Sequence, residues 1–130
     1  MSKTADLREL ITTQLNSVDG GTYHRRAPND AAFPYKTYAL TRVDLGDLSR
    51  DDFMLEVDVW DHSDDAKTVE AIADEVEAMF NDANLPQSTI LPTFFRESRI
   101  PVDDPDKDIQ HIRLAFLVEL YERSINNVNS

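Results

Sequence analysis

Cysteine is absent from the 130-residue chain, which excludes a disulfide framework and any thiolate metal site. Glycine occurs only at 20, 21 and 46, too few and too scattered for a phosphate-cradling loop. The longest apolar run is Leu114–Val118, far short of what spans a bilayer, so no membrane role is expected. The first residues, MSKTADLREL, lack the apolar stretch of a signal peptide. No HExxH pair and no nucleophile elbow occurs. The three histidines, His24, His62 and His111, stand far apart in sequence. His111 reads as a surface residue of a strand, and His62 as a local structural residue before a helix. These absences point away from an enzyme and away from a bound cofactor.

What the chain does have is acid. Its formal net charge is −12, which argues against DNA or an anionic membrane as a binding partner. The charge is uneven: six basic and four acidic residues lie in 1–43, two and twelve in 44–75, five and nine in 76–130. The plain reading of such a run is a solvated surface. The specific readings are a positive part that meets the negative part of an identical neighbour, or an acidic DNA mimic that inhibits a nucleic-acid enzyme. Asp103, Asp104, Asp106 and Asp108 form the densest acidic cluster. Calcium binding would need a glycine at its sharp turn and a closing Glu, both missing, so a Pro-Asp turn explains it better.

The length suits one domain over 1–130, with an ordered core from about 4 to 123. Residues 4–17 predict a helix capped by Thr4 or Ser2, with Leu7, Leu10, Ile11 and Leu15 on one stripe. Residues 22–33 predict irregular structure with an aromatic-basic cluster of Tyr23, His24, Arg25 and Arg26. That cluster is either an ordinary loop or a subunit contact, since Tyr and Arg are common interface anchors. Residues 34–43 predict a strand with no clear core face. Residues 44–51 predict a charged connection.

Alternation over 52–61 predicts a strong strand with Phe53, Leu55, Val57 and Val59 inward. Met54, Glu56, Asp58 and Trp60 would form a mixed outer face, wet or covered by a partner. Residues 63–82 predict a long helix capped by Ser63, roughly 30 Å from end to end. Its apolar stripe is Val69, Ile72, Ala73, Val76, Met79 and Phe80. Residues 87–97 predict a strand that is an edge or bulged at Pro92, because proline cannot donate to a ladder. A turn-rich connection over 98–108 leads to a last, central strand over 109–122. The expected fold is α+β: an antiparallel, or mixed, four-stranded sheet with the long helix on one face and an N-terminal helix. A split βαβ arrangement through the second helix is also compatible.

Four segments, taken in order, resemble the tail-completion and tail-terminator proteins of long-tailed bacteriophages, a family that includes head-tail joining and minor tail proteins. They are Phe33-Pro34-Tyr35, the strand Phe53–Ser63 (FMLEVDVWDHS), the helix Thr68–Phe80, and Asp103–Leu120, an Asp-rich turn feeding an alternating strand. The resemblance covers about Leu7 to Arg123. Two features depart from it: Lys107 stands where a glycine is common, and Asp44–Asp52 is unusually acidic.

The resemblance implies a structural protein of the virion tail or neck, present in the host cytoplasm during assembly. Its partners would be copies of itself in a ring, taken as a hexamer, the major tail-tube protein and a head-tail connector protein. Phage DNA would pass through without specific binding, and no cofactor or metal is implied. Strand edges, the first helix and charged loops would build the ring. Candidate subunit or lumen contacts are Tyr23, Arg25, Arg26, Asp44, Asp47, Arg50 and Asp51, with the acidic 44–52 loop the choice for a lumen that must not hold DNA.

Overall fold

The structure, a computed structural model, describes residues 2–43 and 50–123. Helix α1 runs Lys3–Leu15, followed by strands β1 (Gly21–His24), β2 (Tyr35–Val43) and β3 (Asp51–His62). Helix α2 (Lys67–Phe80) precedes β4 (Ala83–Asn84), β5 (Ile90–Pro101) and β6 (Ile109–Glu122). All six strands form one mixed sheet in the order β1-β2-β3-β6-β5-β4. Only β1 against β2 is parallel. Strand β6 lies between β3 and β5 and runs antiparallel to both. Strands β3 and β5 are therefore parallel, joined through α2, with β6 inserted: a split βαβ unit.

The expected four-stranded sheet is corrected to six strands. Strand β1 was expected to be irregular, and it is too short for alternation to show. It exists because its backbone pairs with β2, with Gly21 opposite Tyr35 and His24 opposite Tyr38. Strand β4 has two residues and owes its pairing wholly to β5.

Register places the alternating apolar rows on one face. Phe53, Leu55, Val57 and Val59 stand opposite Val118, Phe116, Leu114 and Ile112, all buried. Both helices contribute to this same core. Leu7, Leu10, Ile11 and Leu15 come from α1, and Val69, Ile72, Ala73, Val76 and Phe80 from α2. Phe80 meets Phe94 and Phe116 at ring-centroid distances of 4.7 and 5.5 Å. Burial of this apolar surface is the main force holding the two layers together.

Helix α1 begins as the sequence indicates, with Ser2 Oγ accepting from the Ala5 amide at 3.1 Å. Helix α2 is shorter than expected. It spans 14 residues, roughly 21 Å, and Ser63 does not cap it. Ser63 Oγ instead accepts from the Asp65 amide, and Asp65 Oδ1 accepts from the Lys67 amide at 2.9 Å. These side chains compete with helical hydrogen bonds and hold 63–66 as turns.

The expected fault at Pro92 lies elsewhere. Pro92 sits in register with Leu120, and its carbonyl accepts from the Leu85 amide at 3.1 Å. The register shift falls between Arg96 and Ser98. Past Phe94, β5 has no second neighbour among the described residues, so the edge expectation holds for that half. The strand also continues to Pro101, into the segment expected to be turns.

Candidate functional site

Among the described residues no helix covers the second face of the sheet. Its rows run Tyr35–Trp60–His111, Thr37–Asp58–Arg113 and Thr41–Met54–Leu117–Phe95. The strongest constellation there centres on Asp58. Its Oδ1 accepts from His111 Nε2 at 2.6 Å and from Arg113 Nε at 2.9 Å. Burial alone would raise the Asp58 pKa, but the hydrogen bonds from His111 and Arg113 outweigh it and hold the carboxyl below its ordinary value. Trp60 stacks on the His111 ring at 3.6 Å with 16° between planes, and Tyr35 stacks on Trp60 at 6.2 Å. His111 is only 7% exposed, so the expectation of a surface histidine is corrected: Trp60 covers it.

An Asp-His pair invites a catalytic reading. Here the carboxylate is shared with Arg113 and the imidazole is sheathed by indole, so the pair fastens β3 to β6. The Asp103–Asp108 turn is likewise held by its own backbone. Asp104 Oδ1 accepts from the Asp106 amide and Asp106 Oδ1 from the Asp108 amide, both at 2.9 Å. Among the described residues no group of three His, Asp or Glu side chains could hold a metal ion. No helix among them is long and apolar enough to cross a membrane.

The candidate contact residues fall into two places. Asp44 and Asp47 lie outside the described residues. Asp51 is engaged inside the chain, with Lys3 and Arg42 each at 2.5 Å, and Lys3 foremost holds its pKa down. Arg50 bonds Asp52 at 2.8 Å and approaches Glu119 at 3.4 Å. These pairs tie α1, β2, β3 and β6 together at one end of the sheet.

Tyr23, Arg25 and Arg26 lie at the β1 edge. They are separated from that end by the Tyr38–Val43 half of β2, roughly 17 Å of strand. Tyr23 meets Tyr35 edge-on at 6.0 Å. Arg25 has φ +73°, an uncommon conformation for a residue with a Cβ, and its amide donates to the Tyr38 carbonyl at 2.7 Å. An open groove between α1 and β1 is lined by Arg8, Glu9, Thr12, Thr22, His24 and Tyr38. Burial, then Arg8 and Arg25, push the His24 pKa down, as expected where the two guanidiniums flank it and make the corner cationic. Sequence reasoning found Arg25 and Arg26. It missed Arg8, which joins them only when α1 packs beside β1.

Lys36 was also missed as a special residue. It is fully buried, and its Nζ donates to the carbonyls of Val18, Asp19 and Gly20 at 3.1, 2.8 and 2.7 Å. Its position on the core row of β2, beside Tyr38, explains why that strand shows no clean apolar face.

The fold and surface thus define a two-layer α+β protein whose described residues present charged patches, strand edges and an uncovered sheet face, with no open catalytic cleft. Comparison with known families makes this specific. The model of the tail completion protein gp17 family matches residues 3–119, and the chain belongs to that family, whose members are structural, non-enzymatic proteins of phage-like virions. Among solved structures, a chain from the virion of a native gene transfer agent particle is similar in fold. Its TM-score is 0.68 at 17% identity, covering 86% of this chain and 92% of that one. No curated protein matches.

Proposed function

We propose that the protein assembles as a ring, a hexamer by the resemblance described above, at the head-proximal end of the tail. The ring ends growth of the tail tube and offers a surface to the head connector. Its partners are copies of itself, the major tail-tube protein and a head-tail connector protein, and phage DNA passes through without specific binding. The observation that carries this reading is the family match over 3–119. The sheet face that no described helix covers, and the outer edges of β1 and the second half of β5, which pair with no described strand, support it. Such edges are normally shielded in proteins that stay alone.

A heterologous contact, in which one patch meets a different patch of the next copy, closes into a ring when its rotation permits. The acidic balance suits a channel that DNA must traverse without sticking. The test is to add the protein to growing tubes of the major tail protein and image them by electron microscopy. The expected result is density at one tube end and arrested lengthening. Tubes that lengthen undisturbed with bare ends would refute the proposal.

A further inference from the structure

We infer that the cationic corner at the β1 edge, formed by Arg8, Arg25 and Arg26 around His24, docks onto the acidic end of a second copy of this chain, formed by Glu70, Asp103, Asp104 and Asp106. The inference rests on the ring reading and names the interface through which it works.

Three observations lead to it. First, the corner's cations are not neutralised at home. Arg8, Arg25 and Arg26 make no ion pair among the described residues, although the chain is strongly acidic. Arg25 and Arg26 are exposed, and the adjoining groove between α1 and β1 is open.

Second, the opposite charge lies elsewhere on the molecule. Glu70, Asp103 and Asp104 line one shallow cleft where α2 begins beside the β5–β6 turn. Asp104 and Asp106 spend their side chains only on neighbouring amides. Only Lys107 among the cleft's residues offsets them. No ion pair joins corner and cleft within the chain, so both charges are available to neighbours.

Third, the two patches differ in position, so pairing them is head-to-tail, the arrangement that yields rings. A duplex of nucleic acid fits less well. Three arginines form too small a cationic footprint to offset the repulsion of a chain at −12.

Charge swapping tests this. One variant carries Arg25→Glu and Arg26→Glu, the other Asp103→Lys and Asp104→Lys. All four positions lie outside the core, with Arg25, Arg26 and Asp103 exposed and Asp104 half-buried, and circular dichroism confirms that each variant folds. Self-association is read by sedimentation velocity at about 20 mM and about 300 mM NaCl. Wild type should associate at low salt and weaken at high salt. Each variant alone should associate at least about tenfold more weakly. An equimolar mixture should recover association, because each reversed patch then meets its complement.

Wild type that does not associate even at millimolar concentration in low salt overturns the inference, and so do variants that associate like wild type or a mixture that fails to recover. Salt-sensitive binding of a short DNA duplex, lost in the arginine variant, would assign the corner to nucleic acid and also overturn it. The tube-end assay judges the ring reading independently, since a ring built through another surface would still arrest tube growth.

Discussion

Replacing Lys36 by methionine separates two opposing effects at one buried atom. The ammonium is fully buried, and burial pushes its pKa down to about 8 from 10.5, against the pull of Asp19 and Glu75. At neutral pH the group remains charged. Charging the amine inside the fold therefore carries a net cost on the order of 3 kcal/mol relative to its neutral form. Against this stand the hydrogen bonds that Nζ donates to the carbonyls of Val18, Asp19 and Gly20, together worth about 5 kcal/mol. Methionine removes both terms and leaves the carbonyls without their donor, so Lys36→Met should destabilise by about 2 kcal/mol.

The pH dependence follows from the direction of the displacement. The folded pKa lies below the unfolded one, so the unfolded chain binds more protons between them, and stability rises with pH across that window. Lys36 therefore contributes most above 10.5 and loses that contribution as pH falls through about 8. The gap between wild type and variant should widen by about 2 kcal/mol from about pH 7 to about pH 9.5. Urea unfolding at the two pH values measures it. A gap that narrows as pH rises would place the folded pKa of Lys36 above its unfolded value, and the reasoning would fail.

Two further outcomes are accessible to the same assay. Asp58→Asn keeps the shape but loses the carboxylate that holds His111 and Arg113, and should cost about 1–3 kcal/mol at neutral pH. Because the folded Asp58 pKa is depressed, that contribution disappears as pH falls through it, so wild type and variant should converge in acid. Gly20→Ala should destabilise by at least about 1 kcal/mol, as φ is +92° and an added Cβ would lie 2.7 Å from the Pro34 carbonyl oxygen. An unchanged unfolding midpoint would contradict that strain.

Much of the core could be read from spacing alone. The row Phe53–Val59 and the row Ile112–Leu120 alternate because a strand buried on one face must, and each side chain is where alternation placed it. The helical stripes of α1 and α2 were equally plain, save that Met79 is only partly buried. Local competition was harder to see. Ser63 looks like a helix cap and, with Asp65, acts as a turn acceptor, because the same oxygens serve either purpose. The candidate contacts divide on similar grounds. Arg25 and Arg26 stayed exposed, whereas Asp51 found cations from α1 and β2 that no window of sequence around it contains.

By itself the chain determined its class: an acidic, cysteine-free α+β domain with two amphipathic helices, long alternating strands and no catalytic motif. Those features depend on short-range periodicity and composition, which any linear reading contains. Only the tertiary structure decided the rest. It added β1 and β4, whose few residues are strands solely because a neighbour pairs with them. It sealed His111 beneath Trp60, buried Lys36 on three carbonyls, and brought Arg8 of α1 to His24 beside Arg25. Each of these joins residues distant in sequence, and pairing across such distances is set by how the layers pack.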